Sequence, residues 1–147
     1  MDENTQEFDP LLLSNQLCFP LYVASKELTR RYKPFLDPLG LTYTQYVTMM
    51  ALWERDDVPV KDLGRRLYLD SATLTPLLKR LETHGYVTRR RSAEDERSVL
   101  ISLTDKGWAL REAALEVPAR IGGCVHLEAQ EAAELKRLLE KLLATLG

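Results

Sequence analysis

The sequence predicts a mainly α-helical protein that carries one short β-hairpin, and three observations support this fold class. Apolar residues recur at helical spacing along most of the 147 residues. The period falls to about two in the stretches 86–89 and 98–103, which are separated by charged and polar residues. Hydrophobic residues make up 45% and charged residues 29% of the chain, which is typical of one globular domain with appended elements.

Four helices are predicted in the first half of the chain, over residues 14–36, 43–55, 60–67 and 71–84. Thr42 and Gln45 form a capping-box pattern at the start of the second helix. Asp70 or Ser71 is expected to cap the fourth helix, and Gly85 to end it. The residues between the second and third helices, 56–59, are predicted to form a turn.

The second half of the chain begins with the two strands, which are joined by an exposed tip over residues 90–97. Thr104 is then expected to cap a long helix that runs to residue 120 and kinks at Pro118. Gly122 and Gly123 break it, and a strongly amphipathic helix ends the chain.

A short helix, a tight turn, a capped helix and a β-hairpin follow one another in the order of a winged helix-turn-helix, a DNA-binding fold. Leucines on one side of the 71–84 helix are expected to face the core, which leaves the opposite face for DNA. A local bend is expected at Pro76. The candidate DNA-binding residues are Ser71, Thr73, Thr75, Pro76, Lys79 and Arg80 on the helix, and Arg89, Arg90, Arg91, Asp95 and Arg97 on the hairpin.

Charge is distributed unevenly along the chain. Residues 61–91 carry a net charge of +5, whereas the rest of the chain carries −7. A basic block in an acidic protein is typical of a local polyanion site, although a solvated helix face gives the same charge pattern.

The first and last helices have apolar stripes larger than a small central domain needs, and we interpret them as a dimer interface. Residues 1–40 and 105–147 are therefore expected to form a helical dimerisation domain, and residues 41–104 the winged helix-turn-helix. No apolar run is long enough for a membrane helix, and the acidic N-terminus does not resemble a signal peptide, which favours a cytoplasmic protein that does not bind membranes.

Two stretches of the sequence resemble a known family. The stretch VKDLGRRLYLDSATLTPLLKRLETHGYVTRRRSAEDERSVLISLTDKG is similar to the core of MarR-type transcription regulators, whose wing carries Asp-x-Arg followed by Leu-Thr, here Asp95, Arg97, Leu103 and Thr104. The stretch NQLCFPLYVASKELTRRYKPFLDPLGLTYTQYVTMMALWE resembles the branch of organic hydroperoxide resistance regulators. The resemblance extends from about residue 12 to about residue 120. It implies an intertwined homodimer, built from the N- and C-terminal helices, that binds an inverted-repeat operator in double-stranded DNA as a repressor.

Cys18 stands among Leu17, Phe19 and Leu21, a pattern that by itself also fits a buried core cysteine. The resemblance implies instead that Cys18 is the redox sensor for an organic hydroperoxide inducer. It also implies that its thiolate is stabilised by tyrosines, because phenol hydroxyls donate hydrogen bonds to the charged form. These tyrosines are Tyr22 nearby and Tyr32 and Tyr43 from the partner subunit. Without the resemblance, amphipathic packing explains the tyrosines equally well.

Two features near the cysteines carry separate expectations. Pro20 is expected either to kink the first helix or to mark its effective start. Cys124 follows a glycine pair and is compatible with an inert free thiol. The resemblance implies a two-cysteine regulator in which Cys124 is the resolving thiol that forms a disulfide with the sensor of the other subunit.

Three other functions compete with this interpretation. A MarR-type regulator controlled by a small phenolic ligand needs no reactive cysteine. A thiol peroxidase uses Cys18 in turnover, but the chain has no thioredoxin-like βαβ pattern. A metal sensor is disfavoured because His84 and His126 are the only histidines and form no ligand set with Cys124. We therefore predict no enzyme activity, no metal and no cofactor.

Overall fold

The computed structural model describes residues 7–147, so that the first part of the acidic N-terminus lies outside the described residues. Within this range the chain forms seven α-helices and one three-stranded sheet, which confirms the mainly α-helical class with a small β-wing. The helices are α1 (Cys18–Leu36), α2 (Tyr43–Glu54), α3 (Val60–Leu67), α4 (Ser71–Thr83), α5 (Asp105–Ala114), α6 (Val117–Gly122) and α7 (Ala129–Leu146). The strands are β1 (Val58–Pro59), β2 (Val87–Arg91) and β3 (Val99–Leu103).

The predicted caps of α2 and α4 are present. Thr42 Oγ1 accepts the N–H of Gln45, and the Gln45 side chain accepts the N–H of Thr42 in return, which completes the capping box. Of the two candidates for α4, Asp70 is the cap, and its carboxylate accepts the N–H of Thr73 at 2.8 Å. Gly85 ends the turn after α4 with a φ of 82°, a conformation that only glycine adopts without strain.

The sheet contains one strand more than the sequence indicated. Residues 58 and 59, predicted as part of a turn, form β1, which pairs antiparallel with β3 in the order β1-β3-β2. Such a two-residue strand has no periodicity that a sequence can reveal. The carboxylate of Asp56 accepts the N–H of Leu103 at 2.8 Å, which joins the end of α2 to the hairpin.

One core joins the helices to the sheet. Met49, Leu52, Leu74, Leu78 and Ile101 are almost completely buried in it. The leucine stripe of α4 thus faces inward as predicted, and α4 continues through Pro76 to Thr83.

The predicted helix over 105–120 is two helices, because the chain turns after Ala114. Pro118 lies in the first turn of α6, where its missing N–H costs no intrahelical hydrogen bond. The predicted break at Gly122 and Gly123 is confirmed, since α6 ends at Gly122.

The terminal elements expose large apolar side chains. Leu11 and Leu17 before α1 are 91% and 77% exposed, and α7 has no buried residue although Leu135, Leu138, Leu143 and Leu146 lie along it. In the part of the chain that the structure describes, no helix is long and apolar enough to cross a membrane.

Candidate nucleic-acid interface and cysteine sites

The turn between α3 and α4 is tight, as the backbone at Gly64 and Tyr68 shows. The N–H of Leu69 donates to the carbonyl of Gly64 at 3.0 Å, and a Cβ on Gly64 would lie 2.9 Å from the Leu69 carbonyl oxygen. Tyr68 ends α3 in the left-handed region with a φ of 57°, and its side chain is exposed. Neither residue was among the predicted site residues; a glycine within a helical pattern was the available signal for Gly64.

The outer face of α4 carries the predicted small and basic residues. Leu74, Leu77, Leu78 and Leu81 are buried, whereas the predicted DNA-binding positions on this helix are exposed or half-buried. The exposed ones are Ser71, Thr73, Pro76, Lys79 and Arg80, and the half-buried one is Thr75. The first turn of α4 therefore presents hydroxyl groups and free backbone N–H groups, and the later turns present positive charge.

A groove of about 1010 Å³ separates the α3–α4 turn from the hairpin. Its lining brings together five residues predicted from three separate stretches of sequence, namely Ser71, Thr75, Arg89, Asp95 and Arg97. Arg89 lines the groove, and its buried Nε has no hydrogen-bond partner among residues 7–147.

The hairpin tip is held by its own backbone. The carboxylate of Asp95 accepts the N–H of Arg97 at 3.0 Å, and the Asp95 carbonyl accepts the N–H of Ser98 at 2.9 Å. The guanidinium of Arg91 donates to the carbonyl of Glu96 at 2.9 Å across the tip. Asp95 thus shapes the tip through a backbone contact, and the Arg97 side chain is left exposed at the groove.

Two predicted hairpin residues, Arg91 and Arg90, do not line the groove. Arg90 points to the other side of the hairpin. It pairs with Asp57 at 2.7 Å, and the structure does not bring it to the groove. The hydroxyl of Ser102 donates to the same Asp57 oxygen at 2.7 Å. The Ser102 hydrogen bond, together with the charge of Arg90, lowers the pKa of Asp57.

Cys18 is the first residue of α1, and its side chain is exposed. Because the helix begins there, Pro20 lies in its first turn, where a proline loses no helical hydrogen bond. Of the two expectations for Pro20, the early helix start is therefore the observed one. Tyr22 follows one turn further along the same helix and is 64% exposed.

Three tyrosine rings pack together at the other end of α1. The ring centroid of Tyr32 lies 4.8 Å from that of Tyr43 and 5.8 Å from that of Tyr46. Burial, followed by the neighbouring phenols, raises the pKa of Tyr32, and burial with Tyr43 raises that of Tyr46. These two phenols thus keep their protons at neutral pH and remain hydrogen-bond donors.

The two candidate parts of the sensor are far apart within one chain. The helical rise alone separates Cys18 from Tyr32 by about 21 Å along α1. The structure of one chain therefore brings Tyr32 and Tyr43 to each other but not to Cys18. The sequence analysis did not select Tyr46, although its spacing from Tyr43 placed both on one side of α2.

Cys124 lies in the turn that follows α6. Its N–H donates to the carbonyl of Ile121 at 2.9 Å, and its Sγ lies 3.8 Å from the carbonyl oxygen of Arg120. Like Cys18, it is an exposed free thiol.

A second cleft, of about 330 Å³, opens between α2 and the α5–α6 region. Tyr46, Trp53 and Arg111 line it together with apolar side chains. Tyr46 therefore belongs both to this cleft and to the tyrosine cluster.

The helix pair α3–α4, the hairpin and the basic groove between them define a winged helix-turn-helix protein. A family model described as transcriptional regulator SarA/Rot matches residues 30–113. The chain is 51% identical over 140 residues to the organic hydroperoxide resistance transcriptional regulator of Bacillus subtilis, with 95% of each protein covered. It thus belongs to the MarR-type transcription regulators, in the branch of the organic hydroperoxide resistance regulators.

Solved structures of one relative agree in fold. Reduced AbfR of Staphylococcus epidermidis bound to DNA is 42% identical to this chain, with a TM-score of 0.80 over 91% of this chain and 92% of that one. The disulfide form of AbfR is 41% identical, with a TM-score of 0.62 over 91% and 89% of the two chains. This chain is thus similar in fold to a regulator that was solved both in a reduced, DNA-bound state and in a disulfide state.

Proposed function

We propose that this chain acts as a homodimeric repressor that leaves its operator when an organic hydroperoxide oxidises Cys18. The observation that carries the proposal is the exposed Cys18 thiol at the first position of α1, one turn from Tyr22, in a member of the hydroperoxide resistance branch. A helix N-terminus favours the negative charge of a thiolate. A location in the cytoplasm, where the DNA is, follows from this function.

The dimer is supported by the apolar surface at both ends of the chain. The segment before α1 and one side of α7 expose leucines that residues 7–147 do not cover. A second copy of the same chain covers such surfaces in a symmetric dimer. Residues 1–40 and 105–147 then serve dimerisation, although Leu36, Ala114 and Val117 also share the core of the winged lobe.

A dimer also offers a way to complete the sensor. Since about 21 Å of helix separates Tyr32 from Cys18 within one chain, the tyrosines that stabilise the thiolate come from the partner subunit. The rings of Tyr32 and Tyr43 pack against each other and against Tyr46, so that the partner subunit presents the two phenols together. Their phenol O–H groups donate to the sulfur.

The oxidation itself consists of two steps. The Cys18 thiolate attacks one oxygen of the hydroperoxide, the O–O bond breaks, and the alcohol leaves after it takes up a proton, so that sulfur becomes sulfenic acid. The Cys124 thiol of the partner then displaces water from the sulfenic acid and forms a disulfide. Closing an S–S bond requires Cα atoms within about 7 Å, so that the bond imposes a new relation between the subunits.

DNA binding is proposed to use the predicted residues that remain available. Ser71, Thr73, Thr75 and Pro76 face base edges or nearby backbone, Lys79 and Arg80 meet phosphates, and Arg97 enters the neighbouring minor groove. Arg89 acts from within the groove between α4 and the hairpin, and Arg91 and Asp95 support the tip.

A DNA-binding titration tests the proposal. The reduced protein first selects an inverted-repeat duplex from a random pool, and its affinity is then measured with and without cumene hydroperoxide. Wild type is expected to lose most of its affinity after oxidation, whereas Cys18→Ser should bind equally well in both conditions because serine forms no thiolate. Release of Cys18→Ser by the peroxide would assign the sensor to another residue.

Cys124→Ser separates the two oxidation steps. Oxidised wild type should run as a covalent dimer on non-reducing gels, and mass spectrometry should detect a Cys18–Cys124 peptide pair. The Cys124→Ser variant should stop at sulfenic acid or a mixed disulfide and overoxidise at high peroxide. A Cys124 thiol that stays free throughout would leave the second step to an external thiol.

The cleft between α2 and α5–α6 favours a second candidate function, regulation by a small ligand. Its aromatic walls and Arg111 suit an aromatic acid such as a phenolic carboxylate. Salicylate that releases Cys18→Ser from DNA, with Arg111→Ala insensitive to it, would support this candidate. Steady-state peroxide consumption with a dithiol reductant tests the remaining alternative, a thiol peroxidase: we expect only the slow turnover that re-reduction of the oxidised sensor permits, and sustained fast turnover would support the peroxidase.

A further inference from the structure

Asp57 occupies an unusual backbone position at the base of the hairpin. It follows α2 with a φ of 56°, in the left-handed region that residues other than glycine seldom adopt. Asparagine and aspartate tolerate this region best because their short side chains make local hydrogen bonds. The conformation directs the chain from α2 into β1, whose partner is β3.

The Asp57 carboxylate contacts both strands of the hairpin. One oxygen accepts the Ser102 hydroxyl of β3 and the Arg90 guanidinium of β2, each at 2.7 Å. The neighbouring Asp56 accepts the N–H of Leu103, the last residue of β3. The turn after α2 therefore holds the hairpin by side chains from two successive residues.

The opposite side of the hairpin carries the groove. Side chains alternate along a strand, so that Arg89 and Arg91 point away from the side on which Arg90 meets Asp57. Loss of the contacts that Asp57 makes with the hairpin consequently changes the orientation of Arg89 and Arg97 relative to α4.

We propose that Asp57 is a positioning residue of the DNA interface, which acts through Arg90 and Ser102 and does not touch DNA itself. In this arrangement Arg90 braces the hairpin and neutralises no phosphate. The inference rests on the proposed DNA binding and adds to it the residue that orients the wing. Since the Arg90–Asp57 pair is half exposed, its contribution lies in orientation more than in the overall stability of the fold.

Removing the Asp57 carboxylate is expected to change DNA affinity in opposite directions, depending on whether Asp57 acts only through its charge or by orienting the wing. Loss of a negative charge near DNA strengthens binding if only long-range electrostatics acts. If Asp57 orients the wing, Asp57→Gly binds the selected duplex about tenfold more weakly and discriminates less against a scrambled duplex. Glycine adopts the left-handed backbone without strain, and Asp57→Asn below controls for the backbone freedom that glycine adds.

Glu112→Ala is the control for the loss of one negative charge. Glu112 is exposed on α5 and lines neither the groove nor the second cleft, so its removal should leave binding unchanged or slightly tighter. Asp57→Asn should recover part of the affinity because the amide oxygen still accepts from Ser102. Ser102→Ala, which leaves the charge unchanged, provides a second variant that should weaken binding if Asp57→Gly fails to fold.

Arg90→Ala completes the test through salt dependence. It should lower the affinity without changing the slope of log affinity against log salt, and adding it to Asp57→Gly should cost little more. A slope reduced by about 0.9 for each arginine removed would make Arg90 a phosphate contact and overturn the inference. Equal or tighter binding of Asp57→Gly would overturn it as well. If wild type binds no DNA, the proposed function itself fails.

Discussion

The winged lobe, residues 41–107, and the terminal region, residues 7–28 and 124–147, differ in how well their apolar side chains are buried within one chain. In the winged lobe, Met49, Leu52 and Ile101 are completely buried. In the terminal region, Leu11 is 91% and Leu146 72% exposed, and Cys18 and Cys124 are exposed as well. The winged lobe therefore buries its apolar residues within one chain, whereas the terminal region leaves apolar side chains and both thiols exposed, as the proposed dimer requires.

This difference fits a redox switch. A thiol that reacts with peroxide and then with a partner cysteine needs access and freedom to move, and an element that reads DNA needs a fixed shape. The core residues Leu36, Ala114 and Val117 join α1, α5 and α6 to the winged lobe, so a movement of these helices would be felt by the lobe.

Gly107→Ala tests the packing of the winged lobe, and we expect it to have the largest effect of the predicted variants. A Cβ at this buried position would collide with the carbonyl oxygen of Tyr86, and the Gly107 carbonyl accepts the indole N–H of Trp53 at 2.9 Å. We expect a loss of about 3 kcal/mol in unfolding free energy, measured by urea denaturation at fixed protein concentration. Gly122→Ala, which meets no atom within 4 Å, should change stability by less than about 1 kcal/mol. Similar losses in the two variants would contradict the assigned packing.

Leu138→Glu should weaken the dimer that the terminal region is proposed to form, without unfolding the winged lobe. Leu138 lies on the apolar side of α7, so that a carboxylate there would be buried in the proposed dimer. The dimer dissociation constant should rise about 100-fold, as measured by sedimentation velocity. Ala133→Glu adds the same charge about 140° away around the helix and should leave the dimer intact. A monomer–dimer equilibrium unaffected by Leu138→Glu would remove α7 from the interface.

The sequence was sufficient for elements whose signals are local. The capping box of Thr42 and Gln45, the Asp70 cap and the leucine stripe of α4 were all predictable, because each depends on residues within four positions of one another. Strand β1 was not, since it exists only through pairing with β3 more than 40 residues away. The break after Ala114 escaped for a similar reason: Pro118 begins a new helix there and does not kink the old one.

The candidate site was predictable in composition but not in geometry. The hairpin arginines are consecutive in sequence, and strand alternation separates Arg90 from Arg89. Which side faces the groove and which faces Asp57 depends on Asp57 itself, 33 positions away, and on residues of α3 and α4. Likewise, the family resemblance implied a sensor role for Tyr32 and Tyr43, but the sequence could not show that their rings pack together far from the thiol of their own chain.

Arg97→Ala and Arg91→Ala should differ moderately in DNA affinity and in discrimination between duplexes, which tests the separate roles of these two arginines in the winged lobe. Arg97 is exposed at the groove, whereas the Arg91 guanidinium already donates to the Glu96 carbonyl. We expect Arg97→Ala to lose about tenfold in affinity and to discriminate less between the selected duplex and a scrambled one. Arg91→Ala should lose less affinity, and equally on both duplexes. Equal loss of discrimination in fluorescence-anisotropy titrations would contradict this division.

Asp70→Ala should have the smallest effect, and its pH dependence tests whether the α4 cap belongs to the lobe alone. The N–H of Thr73 donates to the Asp70 carboxylate and lowers its pKa below 3.8. A lowered folded-state pKa means that the cap stabilises the protein fully above about pH 4 and is lost as the pH falls through the folded pKa.

At pH 7, Asp70→Ala should therefore lower the midpoint of thermal unfolding by about 3 °C. Asp70→Asn should stay near wild type because its amide oxygen still accepts the N–H. The difference between wild type and Asp70→Ala should shrink as the pH falls below about 4 through the lowered pKa of Asp70, and it should be the same in the Leu138→Glu background, since the cap is made within one chain. A difference that does not shrink at any acidic pH at which both proteins stay folded would show that the cap does not depend on the carboxylate charge. A difference that disappears when the dimer is broken would show that the stability of α4 depends on contacts outside the winged lobe.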